Sequence, residues 1–189
     1  MNNLDLSKII NSKFQNVDKE TLGAIVKYSS FVKLSKGTEL IIEGNRHHYF
    51  YLILKGAVKS YYLKESKQVC TWFAFENEII GTTSTLKGLV SNESIQLLED
   101  SELIRFNTSK LNELIQTNLK MCQLINTFWA EHALFLEARL QLLQFTNSQE
   151  RLAALLKYNS AILQRVSLTD IASFIGVSRE TLSRIRAKK

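Results

Sequence analysis

VSLTDIASFIGVSRETLSRIRAKK, residues 166–189, is the stretch from which the fold of this chain can be worked outward. Ser167 and Asp170 form an S-x-x-D start, in which a side-chain oxygen caps the first free N–H groups of a helix. Leu168, Ile171, Ala172, Phe174 and Ile175 then supply the apolar side of a short helix. Gly176 permits a turn, and Ser178 can cap a second helix whose inward side is Leu182 and Ile185. At ~100° per residue, Glu180, Ser183 and Arg184 lie away from that side, and Arg179 sits in the exposed first turn. The expectation is a helix-turn-helix with its recognition helix at 178–187.

These residue types divide the work of reading duplex DNA. Arg179 and Arg184 can each place a guanidinium fork on guanine O6/N7, and Glu180 can accept from cytosine N4 or orient an arginine. Ser178, Thr181 and Ser183 can donate to phosphates, while Arg186, Lys188 and Lys189 add positive potential. Thr169, Gln164 and Arg165 are weaker candidates, divided between phosphate contact and ordinary surface. A solvated basic helix with no partner is the plain alternative; the turn glycine, both caps and the apolar spacing all argue against it.

The charge distribution supports the same region. Of 24 Lys and Arg and 18 Asp and Glu, residues 1–138 hold 15 of each sign, so the whole formal +6 falls between Arg139 and Lys189. A locally basic domain gains counterion-release free energy from a polyanion, whereas a neutral one does not. The opening MNNLDLSKII lacks a basic region followed by a long apolar core, and no apolar run approaches the ~20 residues that span a bilayer. A soluble, cytoplasmic chain without a membrane partner is expected. Cys70 and Cys122 have no companion at C-x-x-C spacing, which speaks against a zinc ribbon, a thioredoxin-like centre or a four-cysteine cluster and for ordinary buried thiols.

Residues 4–28 carry apolar positions at helical spacing around a polar break at Asn11–Gln15. From Phe31 to Gly81 the period changes to short β-branched and aromatic runs, divided at Lys36-Gly37, Glu43-Gly44, Lys55-Gly56 and Lys64–Lys67. A further alternating run at 94–106 completes a set of strands best closed into a sandwich or small roll. Tyr49, Tyr51, Tyr61, Tyr62, Trp72 and Phe73 read either as core or as pocket walls. Beyond Thr108 the pattern is helical, and Leu124, Ile125, Phe128, Trp129, Leu134, Phe135, Leu136 and Leu142 cover more than the single stripe a surface helix needs. Such a helix packs on its own β domain and on a second subunit, or is enclosed within one monomer. Thr146, Asn147 or Ser148 can cap the next helix, and the absence of proline or a Gly/Ser-rich linker joins the two parts directly.

At this point the sequence resembles the Crp/Fnr family of bacterial transcription factors. SRETLSRIR at 178–186 is similar to the family's recognition-helix pattern, and the resemblance implies that Arg179, Glu180 and Arg184 contact bases. KGTELIIEGNRHHYFYLILKGAVKSYY at 36–62 resembles the opening strands of the cyclic-nucleotide-binding β roll. SQERLAALLKYN at 148–159 with ILQRV at 162–166 is similar to the subgroup common in Bacteroidetes-type bacteria. The resemblance implies an α+β chain: N-terminal helices and a jelly-roll, double-stranded β-helix domain at 1–110, a central dimerisation helix at 111–145, and a winged helix-turn-helix at 146–189.

The family's best-known ligand is not implied. NEIIGTTSTLKGLVSNESIQL, at 77–97, follows Gly81 with Thr82 instead of glutamate, and sets Glu93 beside Ser94 where an arginine would meet the phosphate. Cyclic AMP is therefore not expected to bind, no cofactor is assigned, and the identity of any other effector stays open. Two cysteines are too few for the family's four-cysteine oxygen sensor, and His47, His48 and His132 read as polar surface or turn residues before haem ligands. The expected function is a homodimeric, sequence-specific regulator on a pseudo-palindromic site in double-stranded DNA, with RNA polymerase a further contact. The alternative is a ligand-sensing or interaction module whose basic end docks a protein. With no phosphate loop, metal-ligand cluster or defensible carboxylate pair, an enzyme is not expected.

Overall fold

The apolar runs after Phe31 pair into two antiparallel four-stranded sheets facing one another. The computed structural model describes residues 3–14, 17–144 and 147–187. Helices α1 (Asn3–Lys13) and α2 (Lys19–Lys27) precede the strands β1 (Ser29–Leu34), β2 (Glu39–Ile41), β3 (Tyr49–Lys55), β4 (Val58–Lys64), β5 (Lys67–Ala74) and β6 (Ile79–Ile80). A short helix, α3 (Thr83–Lys87), leads to β7 (Ser94–Leu97) and β8 (Ser101–Asn107). One sheet runs β1-β8-β3-β6, with Ser29 opposite Phe106 and Phe50 also opposite Phe106; the other runs β2-β7-β4-β5. This is the roll that the turn signatures predict.

The first sheet is covered on both faces, because successive side chains of a strand point to opposite sides. Ile53 and Leu103 enter the space between the sheets with Ile41, Val58, Ile95 and Leu97. Their neighbours Leu52 and Ile104, with Phe106, face Leu6, Ile10, Phe14 and Ile25 and the helices that follow. Tyr51, Tyr61 and Phe73 are buried in the packing, so half of the aromatic candidates are core.

The helical stretch after β8 is two helices and not the single one expected at 111–145. α4 (Thr108–Thr117) and α5 (Leu119–Gln144) meet at Asn118, whose backbone is extended. Its Oδ1 accepts from the Met121 N–H at 2.9 Å and its Nδ2 donates to Thr21 Oγ1 at 2.9 Å. The asparagine thus ends one helix, caps the next and ties both to α2; a short side chain that competes for local backbone donors favours such a break. The first half of α5 lays Met121, Leu124, Ile125 and Phe128 on the first sheet. Its second half leaves Leu134, Leu136, Leu140 and Leu143 exposed.

Helices α6 (Ser148–Tyr158), α7 (Ile162–Arg165), α8 (Leu168–Ile175) and α9 (Arg179–Ala187) complete the chain. Of the three cap candidates, Asn147 accepts from the Gln149 N–H at 2.8 Å, and Thr146 lies outside the described residues. No strand follows Asn107 among the described residues, so the expected wing is not present among them. The core of α6–α9 also takes in Ala57, Cys70, Phe73 and Phe75 of the roll and Leu142 of α5, so the boundary expected at residue 146 is no gap in packing. Cys70 is buried, which pushes its thiol up, and Cys122 is half-buried; both are free.

Candidate nucleic-acid interface

The carboxyl-terminal pair of helices is built from local signals. At the start of α8 the Asp170 N–H donates to Ser167 Oγ at 3.1 Å, and the Ser167 hydroxyl donates to Asp170 Oδ2 at 2.7 Å. Ile171, Ala172, Phe174 and Ile175 are buried. Gly176 ends α8 at φ +70°, in the left-handed region where a side chain is strained. Ser178 then caps α9, accepting from the Thr181 N–H at 3.1 Å.

On α9 Leu182 is fully buried and Ile185 half-buried, which turns Arg179, Glu180, Ser183, Arg184 and Arg186 to solvent. Thr181 is half-buried, and its oxygen accepts from Arg184 Nη2 at 3.2 Å and from the Ser178 hydroxyl at 3.1 Å. The hydroxyl expected to donate to a phosphate thus also holds Arg184, by accepting from it. The backbone N–H of Glu180 itself and the Ser178 hydroxyl hold the Glu180 carboxyl below the ordinary glutamate range, with Arg179 and Arg184 adding to the effect. The exposed face thus carries two guanidinium forks and an ionised acceptor, the donor and acceptor types that distinguish G·C from A·T in the major groove. Thr169 is exposed on α8; Lys188 and Lys189 lie outside the described residues.

Three arginines of the basic region are used inside the fold. Arg165, expected as a weak phosphate contact, is instead gripped by two glutamates of the roll: Nη1 and Nη2 donate to the two oxygens of Glu76 at 2.8 Å each, and Nη2 also to Glu99 Oε1 at 2.5 Å. A bidentate carboxylate satisfies the fork that a phosphate would need. The contact pulls the Glu76 carboxyl down to about 2 and raises the arginine further. Arg139 lies 3.8 Å from the Phe174 ring centre and donates to the Phe174 carbonyl, and Arg151 donates to the Ile175 carbonyl at 3.0 Å. Both satisfy carbonyls that the end of α8 leaves without helical partners.

The helix pair is docked on the roll through β5. Lys59 Nζ donates to Asp170 Oδ1 and to Gln68 Oε1, each at 2.8 Å; the Cys70 N–H donates to Ser173 Oγ at 2.9 Å; and Phe73 meets Phe174 at 5.3 Å between ring centres. The three pairings between the roll and α8 have no local sequence signal, since each joins residues about a hundred positions apart, and Gln68, nine positions from Lys59, steadies the lysine from the adjacent strand.

A second polar cluster lies in the roll. The paired register of β4 and β5 shifts between Ser60 and Tyr61, leaving Thr71 as an extra residue on β5. Such a bulge brings two successive side chains toward one neighbour. Thr71 Oγ1 donates to Glu93 Oε2 at 3.1 Å, the Trp72 indole N–H to the same oxygen at 3.2 Å, and the buried Ser60 hydroxyl to it as well. His47 accepts from the Ile42 N–H at 2.8 Å, a turn contact, and His132 is exposed on α5.

Residues 31–118 match the cyclic nucleotide-binding domain family. No curated protein matches the chain. Among solved structures, FixK2 from Bradyrhizobium japonicum is 21% identical, with 85% of this chain and 83% of that one covered at a TM-score of 0.76. A protein described as a transcriptional regulator of the Crp/Fnr family from Eubacterium rectale is 14% identical, covering 94% and 87%, also at 0.76. The c-di-GMP responsive global regulator CLP from Xanthomonas campestris is 18% identical, covering 90% and 91%, at 0.71. Residues 31–118 are thus similar to cyclic nucleotide-binding domains, and the chain shares the fold of FixK2, of CLP and of the Crp/Fnr-family regulator from Eubacterium rectale.

Proposed function

We propose that the protein is a DNA-binding transcriptional regulator that acts as a homodimer. The observation that carries the reading is α9: its apolar side is sealed by Leu182, while Arg179, Glu180, Ser183 and Arg184 stand together on the open side. A helix so arranged enters a major groove with its first turns on the base edges. Thr169, Ser178 and Arg186 flank it as phosphate contacts, with Lys188 adding potential, and Thr181 holds Arg184 in place.

The dimer reading rests on the second half of α5. Leu136, Leu140 and Leu143 are exposed and follow the four-then-three spacing of a two-helix seam. Two copies joined there present two α9 helices to half-sites about one or two helical turns apart, ~34 Å per turn.

The roll does not fit a cyclic phosphate. The converging donors of Ser60, Thr71 and Trp72 are taken up by the Glu93 carboxylate, whose charge repels a second anion. The proposed regulator does not respond to cyclic AMP.

Selection of bound fragments from a random DNA library tests the proposal. The expected result is a two-fold symmetric consensus bound at moderate salt. Binding that is independent of sequence, with a stable protein partner recovered through residues 167–187, would overturn it in favour of a protein-docking role.

A further inference from the structure

The helices on the outer face of the first sheet do not close on it completely. A cavity of about 120 Å³ lies between β3, β6, α3, α4 and the first half of α5, bounded by Phe50, Ile79, Leu86, Leu111 and Leu124. The space is distinct from the interior of the roll, where Glu93 and its donors sit, because the strands between them send alternate side chains to opposite sides. The lining side chains are apolar except those of Trp129, with its indole N–H, and His132, exposed one turn beyond Phe128 on α5. Its ring lies 6.1 Å from that of the half-buried Trp129, which also lines the cavity, and the two mark its solvent side.

The floor is shaped by one close approach. A Cβ at Gly81 would fall 1.9 Å from Phe50 Cδ1, so the phenyl ring occupies the place of the missing side chain. Phe50 and Gly81 both line the cavity there.

We propose that this cavity is a binding site for a small, neutral, apolar molecule of about the size of one aromatic ring. An enclosed apolar cavity of about this volume, lined by leucine, isoleucine and phenylalanine, takes benzene or xenon, and this one has the same kind of lining while opening toward solvent at Trp129 and His132. No charged side chain lines it, so ions and nucleotides are excluded by the cost of burying an unpaired charge. An occupant touches Met121, Leu124, Ile125 and Phe128 on one side and Phe50 on the other, and so bears on how α5 sits against the roll. Since α5 carries the proposed dimer seam further along, a molecule that binds two placements of α5 unequally shifts the balance between them.

Benzene titrated into the full chain without DNA, followed by methyl and aromatic NMR, tests the proposal. Saturable shifts confined to Leu86, Leu111, Leu124, Ile125 and Met121 are expected, with a rise in Tm. Leu124→Phe, which fills the space from within, is expected to weaken benzene at least about tenfold. Non-saturable shifts, or shifts spread over the exposed leucines of α5, overturn the site whether or not the variant folds. DNA affinity measured on the same protein reports separately on the regulator reading, so failure of one leaves the other standing.

Discussion

Lys59 on β4 and Asp170 on α8 form an ion pair at 2.8 Å with only 9% and 15% of their side chains exposed. The pair is the polar centre of the contact between the roll and the helix pair, with the Cys70–Ser173 hydrogen bond and the Phe73–Phe174 contact beside it on the neighbouring strand β5. Asp170 serves twice, since its other oxygen accepts from the Ser167 hydroxyl that caps α8.

Removing one partner of a well-buried pair strands the other charge. Lys59→Met is expected to destabilise the protein by about 3 kcal/mol, while the double variant Lys59→Met/Asp170→Leu recovers most of that loss. Urea denaturation of the four proteins of the cycle measures the coupling. Additive losses, the double variant losing the sum of the two singles, would show that the pair contributes no coupling and that the docking depends on the apolar contacts.

The Arg165 clamp predicts an acid-sensitive contact. Arg165 holds the Glu76 carboxyl at about 2, below its ordinary 4.5, so this contribution to stability is fully present above pH 4.5 and is lost as pH falls through about 2. Glu76→Gln is expected to melt lower than the parent at pH 7, with the gap in Tm shrinking from pH 4.5 downward. A constant gap across that window would mean that the contact does not depend on the carboxylate charge.

On α9 the proposed base-reading side chains and the residue that holds one of them are different. Arg179→Ala and Arg184→Ala are each expected to relax specificity at one base pair, at a cost of about 1–3 kcal/mol. Thr181→Val, which removes the oxygen that positions Arg184, is expected to weaken the same base pair by less than Arg184→Ala does. Arg186→Ala and Lys188→Ala weaken all sequences alike and lower the salt slope by about one each. Mobility shifts on consensus and single-mismatch duplexes distinguish these patterns.

Glu93→Ala leaves the donors of Ser60, Thr71 and Trp72 without their acceptor. An expected loss of about 1–3 kcal/mol follows for each donor that water cannot reach, read by urea unfolding. Cyclic AMP is expected to leave the DNA affinity of the parent protein unchanged, and a clear increase on its addition would overturn the assignment of Glu93 as the anion of the roll.

Leu140, 62% exposed on α5, tests the seam. Leu140→Glu places a charge at the centre of the proposed interface, and sedimentation is expected to show a monomer where the parent sediments as a dimer.

The parts of this fold that were legible in the sequence are those whose causes are local. Ser167, Gly176 and Ser178 act on backbone groups within a few positions, so the two short helices and their exposed face could be read directly. The strand-and-turn pattern likewise follows from alternation and glycine. Arg165 was misread because its partners, Glu76 and Glu99, lie on the other side of the chain's longest helix, where spacing carries no information. The break at Asn118 is hidden by continuous apolar periodicity on either side, and its bond to Thr21, 97 positions away, adds to the local cap of the Met121 N–H a tie that no spacing reveals. Glu93 stood out by its charge, but the bulge that gathers its donors is a matter of strand register.

The contact between Phe50 and Gly81 constrains how the chain can change over time. Any residue other than glycine at 81 needs space the phenyl ring fills, so a side chain there displaces the ring from its present place unless a smaller residue stands at 50. Positions 50 and 81, 31 residues apart in the chain, are thus expected to vary as a pair, with a smaller residue at 50 easing the entry of a side chain at 81.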